Sequence, residues 1–258
     1  MLDRLRRLAR SVSADPPGDA GIGTDNPARH SADPDPPGAG IADDRALTER
    51  TRMVEGQLRA RGIRDESVLA AVLAVPRDEF VGADLRGSAY ADDALPIEAG
   101  QTISQPYIVG RMTELLRVEP GDRVLDIGTG SGYQAAVLAQ LGCTVLSIER
   151  HASLADTARE RLTRLGYGGR VEIRVGDGSV GAPDEAPWRG ILVAAAAPRV
   201  PPALRDQLDP DGGRLVVPVG DRDRQELIVV TRAGDTWSEE NDGAVVFVPL
   251  IGEAGFGA

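Results

Sequence analysis

Seven consecutive residues, Asp126, Ile127, Gly128, Thr129, Gly130, Ser131 and Gly132, stand between the apolar run Val124-Leu125 and a helical stretch at 133–141. Glycine at every second position lets a backbone turn approach a ligand closely, and the helix that follows offers unpaired N–H groups to a negative group. The spacing is GxGxG, one residue tighter than the GxGxxG of dinucleotide-binding turns. Glu149 ends the next apolar run at 145–148, about where an acidic residue accepts a hydrogen bond from a ribose hydroxyl. Asp177-Gly178 follows a third run at 171–175, where a carboxylate can accept from an exocyclic amine such as that of adenine. Each feature has a plainer reading: Glu149 as a solvated strand-end charge, Asp177 as a turn former, Asp126 as an orienter of the glycine turn. Taken in order, they point to a nucleoside cofactor held by Asp126, Gly128, Thr129, Gly130, Gly132, Glu149, Asp177 and Gly178.

Composition narrows the chemistry. All 29 basic residues are Arg, so no lysine can form a Schiff base or complete a GxxxxGK[ST] phosphate loop. With His30 and His151 as the two histidines, a His-rich metal site is excluded and no metal is expected; with Cys143 alone, so is an internal disulfide. A net charge of −11 argues against a nucleic-acid partner. No run of about 18 apolar residues supports a membrane span, and the basic stretch 1–12 lacks the apolar region of a secretory signal. The expected location is the cytoplasm, and the expected state a monomer.

The elements that must carry these residues form two parts. Residues 13 to about 44, rich in Pro, Gly and Asp, cannot bury enough apolar surface to order, so 1–44 reads as a disordered tail, with a short marginal helix possible in composition at 1–12. The ordered domain is expected at 45–258. Within it, 45–118 is a helical region, with helices at 47–61, stopped by Gly62, at 65–73, closed by Pro76, and at 106–116, opened by Pro106. From 119, the apolar runs 124–127, 144–148, 171–175, 191–193 and 215–219 alternate with helices at 133–141, 152–165 and 201–208. That alternation predicts an α/β fold, a doubly wound and mostly parallel sheet. The late runs 227–231 and 244–250, with no long helix between them, predict an antiparallel C-terminal edge.

The run Gln101-Thr102-Ile103-Ser104-Gln105-Pro106-Tyr107, together with 126–132 and Tyr133-Gln134-Ala135-Ala136, resembles the protein-L-isoaspartate O-methyltransferase family of Rossmann-like class I methyltransferases. Pro198, Pro201-Pro202-Ala203-Leu204, Gly212-Gly213-Arg214-Leu215, Gln225-Glu226-Leu227 and Phe247-Val248-Pro249-Leu250 are similar to its later segments, so the likeness runs from about 47 to about 253. The resemblance implies methyl transfer from S-adenosylmethionine to the α-carboxylate of L-isoaspartyl residues in damaged proteins and peptides, with spontaneous collapse of the ester to a succinimide. It implies Ser104 as the active-site serine, orienting the acceptor carboxylate and serving no covalent role. It places Thr102, Ile103 and Gln225 beside the cofactor, and Val248, Pro249 and Leu250 where their main chain meets the peptide. An acceptor that is already ionised needs no general base, so a site without lysine is chemically sensible.

Two departures stand out. Trp188-Arg189-Gly190 carries Arg where the family usually has Asp, and Gly56 replaces a common polar residue. Other readings are a relative that esterifies aspartate in one ribosomally made peptide, forming a succinimide, and a noncatalytic S-adenosylmethionine-binding protein. An NAD-dependent oxidoreductase fits neither the GxGxG spacing nor the lack of a proton donor.

Overall fold

The structure is a computed structural model that describes residues 39–257. The expected helix at 1–12 and most of the expected tail lie outside the described residues. Helix α1, Ala39–Met53, begins six residues before the expected domain start at 45. It runs into a π-helical turn, Val54–Leu58, and a 3-10 turn, Arg59–Arg61, before Gly62 stops it at φ +104°. The expectation of one regular helix at 47–61 is thus corrected: the chain widens across Gly56, the weakest helix former of the segment, where a Cβ would meet nothing within 4 Å. Helix α2, Glu66–Ala74, starts on Asp65, whose carboxylate accepts the Ser67 and Val68 N–H groups.

A two-stranded hairpin, β1 (Leu95–Pro96) with β2 (Thr102–Ile103), then delivers the chain to α3, Pro106–Leu116. The sequence pattern carried no sign of this hairpin, because two-residue strands are too short for an alternation.

The main sheet holds β3 (Arg123–Ile127), β4 (Thr144–Glu149), β5 (Val171–Val175), β6 (Gly190–Val193), β7 (Asp211–Gly220), β8 (Gln225–Ala233) and β9 (Thr236–Val245). Their order across the sheet is β5-β4-β3-β6-β7-β8-β9. The first five are mutually parallel, with Val124 beside Val145 and Leu125 beside Ile191, whereas β8 and β9 add on antiparallel. The final strand is displaced from expectation. It occupies 236–245, polar for most of its length, and the apolar 246–250 leaves the sheet edge to bridge Ala196 beyond β6. Cross-strand hydrogen bonding to β8, not side-chain burial, decides where that strand lies.

Alternate residues of each strand feed two cores. Val124, Val145, Val171, Ile173, Leu192 and Val216 pack with the N-terminal helices, α3, α4 (Tyr133–Gln140) and α5 (Ala152–Arg164). Leu125, Ile127, Leu146, Ile148, Ile191 and Val193 face the opposite side. That second face has a thinner cover, since the β5 to β6 connection contains 3-10 turns and the connection to β7 only the short α6, Pro202–Asp206. Trp188, 1% exposed, fills the space there beside Leu204 and Leu208. Arg189 points its guanidinium to the Asp211 carbonyl at 2.6 Å, so the atypical residue closes a surface contact away from the glycine turn.

Cys143 is fully buried after α4, and burial pushes its thiol up to about 12. In folded protein it should resist a thiol reagent such as Ellman's, reacting as one thiol per chain only under denaturant. Rapid native labelling would contradict this packing.

Candidate active site

Strand order reverses between β3, which continues to β4 and β5, and β6, which continues outward the other way. Such a switch opens a crevice at the carboxyl ends of the strands. The glycine turn after β3 sits there, with Gly128, Gly130 and Gly132 at φ +92°, +51° and +90°. These values favour glycine, because any Cβ would meet its own backbone. The Gly128 N–H donates to the Ile148 carbonyl at 2.9 Å. Glu149, 5% exposed at the end of β4, accepts from the Gly130 N–H and the His151 N–H, each at 2.9 Å. One carboxylate therefore holds the loops after two adjacent strands.

The crevice is a cavity of about 780 Å³, counting its open mouth. Thr102, Ile103, Ser104, Gly128, Thr129, Gly130, Glu149, Gly178, Val248, Pro249 and Leu250 all line it, so residues 148 positions apart in the chain share one space. The hairpin covers the turn from above: a Cβ on Gly130 would stand 3.5 Å from Ile97 Cδ1. On the far side, a Cβ on Gly178 would stand 2.5 Å from Ile127 Cγ2, so only glycine fits there. A glycine cradle, a strand-end carboxylate and apolar walls from Ile103, Ile127 and Ile148 suit a nucleoside with a short charged tail.

Four of the expected cofactor residues are not on the cavity wall. Asp126, fully buried beneath the turn, accepts from Ser147 Oγ at 2.7 Å, and Ser147 Oγ lies 2.6 Å from Thr129 Oγ1. Its role is to set the turn from below, and its Oδ1 has no partner. Gly132 packs against α5, where a Cβ would meet Leu162 Cδ1 at 3.3 Å and Ala158 Cβ at 3.4 Å. Gln225 donates to the Asp221 carbonyl and accepts the Phe247 N–H, which clips the β8 start to the chain leaving β9. Asp177 Oδ1 accepts from the Ser179 N–H and hydroxyl, and its Oδ2 accepts from the Glu253 N–H. Burial alone would raise the Asp177 carboxyl, but these bonds hold it below its usual range. A motif position names a residue type; the direction of its side chain is decided by neighbours that the motif does not contain.

The segment expected to meet a peptide is also partly committed. The Val248 carbonyl and Leu250 N–H pair with Ala196, and the Leu250 carbonyl accepts the Phe256 N–H at 2.7 Å. The Val248 N–H and Pro249 carbonyl take no part in those bonds. Ser104 is half-buried, and α3 opens at Gln105 without any side-chain cap, so its hydroxyl is not spent on the helix. Gln105 itself donates to the Asp92 carbonyl at 2.8 Å, anchoring the loop.

The cavity also includes residues with no prior assignment, among them Gln101, Ser131, Tyr133, Gln134, Arg150, His151 and Ile251. Arg150 and His151 follow the strand-end acid, and a ribose site there would have signalled them. Tyr133 packs edge-on to Phe80 at 5.3 Å between centroids, with the Arg77 guanidinium 5.0 Å from its ring. Arg77 is fully buried, and desolvation lowers it to about 10. Among the described residues no cluster of His, Cys, Asp and Glu could hold a metal ion.

Two outcomes follow from this geometry. Gly132→Ala should lower unfolding free energy by roughly 1–2 kcal/mol through its left-handed backbone. S-adenosylhomocysteine affinity should stay within about twofold. A large affinity loss at unchanged stability would return Gly132 to the cavity wall. Burial, with a smaller push from Glu149 and against the Ser147 hydrogen bond, raises Asp126 from 3.8 to about 7. Between those values the folded ligand-free protein holds a proton that the unfolded chain releases, so stability falls as pH rises. Asp126→Asn lacks that loss, and its thermal midpoint should gain on the parent's from pH 5 to pH 8. A gap independent of pH would refute the assignment.

The comparisons agree with this architecture. Residues 48–255 match the family model described as Protein-L-isoaspartate(D-aspartate) O-methyltransferase. A protein-L-isoaspartate O-methyltransferase of Methylorubrum extorquens is 55% identical over 203 residues, 78% of this chain and 88% of that one. One from Methanoculleus marisnigri is 54% identical over 208 residues, 81% and 94% of the two chains. A solved protein-L-isoaspartate O-methyltransferase superposes with a TM-score of 0.71 at 28% identity, over 80% of this chain and 66% of that one. A Plasmodium falciparum structure in complex with S-adenosyl-L-homocysteine shares the fold, with a TM-score of 0.66 at 24% identity over 78% and 98%. With its glycine turn at the switch point and its Ser104 loop facing the same cavity, the chain belongs to the protein-L-isoaspartate(D-aspartate) O-methyltransferase family.

Proposed function

We propose that this protein transfers a methyl group from S-adenosylmethionine to the α-carboxylate of L-isoaspartyl residues, initiating repair of damaged proteins. The observation that carries the reading is the convergence of Ser104, Gly128, Gly130 and Glu149 on one cavity. The relatives' names support the reaction, and the S-adenosyl-L-homocysteine in the Plasmodium falciparum structure supports the cofactor.

S-adenosylmethionine, when bound, supplies an electrophilic methyl group on a sulfonium sulfur. Glu149 retains lone pairs beyond those given to Gly130 and His151 and accepts from ribose hydroxyls. Thr102 and Ile103 flank the cofactor, and Gly178 offers close backbone approach. Ser104 donates its uncommitted hydroxyl to the acceptor carboxylate and fixes which oxygen faces the methyl group. Peptide recognition falls to the Val248 N–H and the Pro249 carbonyl, the main-chain groups not paired with Ala196 or Phe256. Main-chain contacts ignore side-chain identity, which suits a substrate defined by its damaged linkage and not by its flanking sequence. The partners are isoaspartyl-bearing proteins and peptides of the cytoplasm, met by a monomer without nucleic acid. Among the described residues no helix is long and apolar enough to cross a membrane.

An isoaspartyl peptide should gain an alkali-labile methyl ester while its aspartyl twin does not; equal labelling of the two would sink the proposal. Ser104→Ala should reduce kcat by about 10²-fold, the usual value of a lost transition-state donor. Its S-adenosylhomocysteine affinity should change by less than about threefold, and a fully active variant would refute the role of the hydroxyl.

A further inference from the structure

The C-terminal segment that walls the peptide side of the cavity is fastened at two places. One is the Ala196 bridge already described. The other lies on the turn after β5, where Asp177 and the buried Ser179 form a clamp. The Glu253 N–H donates to Asp177 Oδ2 at 2.8 Å, and the Ala254 N–H donates to Ser179 Oγ at 3.0 Å. Ser179 Oγ in turn donates to Asp177 Oδ1 at 2.7 Å, so one hydroxyl both receives the strap and braces the carboxylate. The strap closes on itself through the Phe256 N–H to Leu250 carbonyl bond and the Gly252 N–H to Phe256 carbonyl bond, at 2.7 and 3.2 Å. Its contact with the clamp is tight: a Cβ on Gly252 would stand 2.0 Å from Asp177 Oδ1 and 2.5 Å from Ser179 Oγ.

We infer that Ser179, acting through Asp177 and the strap at 250–256, is a positioning residue for the peptide acceptor. The clamp turn begins with Gly178, which lines the cofactor cavity, and the strap begins with Leu250 and Ile251, which line it too. The same three-residue turn thus sets one wall of the cofactor space and the height of the acceptor wall above it. This rests on the reaction proposed above.

The test uses full-length protein and two variants outside the reacting groups, Ser179→Ala and Gly252→Ala. Each should raise KM for an isoaspartyl peptide by about tenfold, the effect of one lost hydrogen bond. For each, kcat and S-adenosylhomocysteine affinity should stay within about twofold. The double variant should be little worse than either single one, because both release the same strap. Unchanged peptide KM in the variants overturns the inference, as does a loss confined to cofactor affinity or thermal midpoint. If Ser179→Ala fails to fold, Gly252→Ala alone decides by the same criteria. A parent protein inactive on the isoaspartyl peptide would instead remove the proposed reaction itself.

Discussion

The site depends on one buried carboxylate. Glu149 bonds the N–H groups of Gly130 and His151, and without it the turn after β3 and the turn after β4 would have no common anchor. A glycine turn in left-handed conformation has little intrinsic preference for one shape, since glycine loses more freedom on ordering than any other residue. The cost is offset by fastening the turn from several sides: Glu149 beside it, the Asp126-Ser147-Thr129 chain below, and Ile97 of the hairpin above. The parallel sheet sets the distance between those anchors, because Asp126 and Ser147 are register partners on β3 and β4.

The helical N-terminal region extends this fastening to the acceptor side. Arg77 donates to the Ala89 carbonyl at 2.8 Å and lies against Tyr133, while Gln105 holds the Asp92 carbonyl. The segment at 89–93 is therefore gripped by a buried guanidinium and in turn grips the loop carrying Ser104. Burying an arginine with one nitrogen, Nη1, left unpartnered is costly. Its position between the cofactor-side Tyr133 and the acceptor-side loop is what that cost maintains.

Much of this was legible in the sequence because it rested on periodicity and on glycine. The runs at 124–127 and 144–148 became strands almost as read, since strands buried on both faces leave an apolar signature, and the edge run at 171–175 did so through its apolar–polar alternation. Gly128, Gly130 and Glu149 fell where expected because strand ends in such a sheet are geometrically fixed. The illegible parts depend on long-range partners. Asp177 reads as a ligand for adenine, and no local pattern shows that its Oδ2 also takes the Glu253 N–H, 76 residues later. Gln225 reads as a cofactor contact, and the bond from the Phe247 N–H to its side-chain Oε1 is equally invisible in the local sequence. The last strand was misplaced because the polar segment at 236–245 pairs through its backbone, which leaves no hydrophobic pattern.

The ionisable groups of the site have one thing in common. Asp126 is bound to Ser147, Glu149 to Gly130 and His151, and Asp177 to Ser179 and Glu253. Each uses its lone pairs to hold the protein, and none is arranged with a histidine or lysine as a proton-transfer pair. That would be a poor design for deprotonating an alcohol or an amine, where a base must meet the leaving proton. For an acceptor already ionised at neutral pH, no proton has to move. The energy then goes into holding two reactants in line, so rigidity of the turn, the loop and the strap takes the place that acid–base chemistry fills in other transferases.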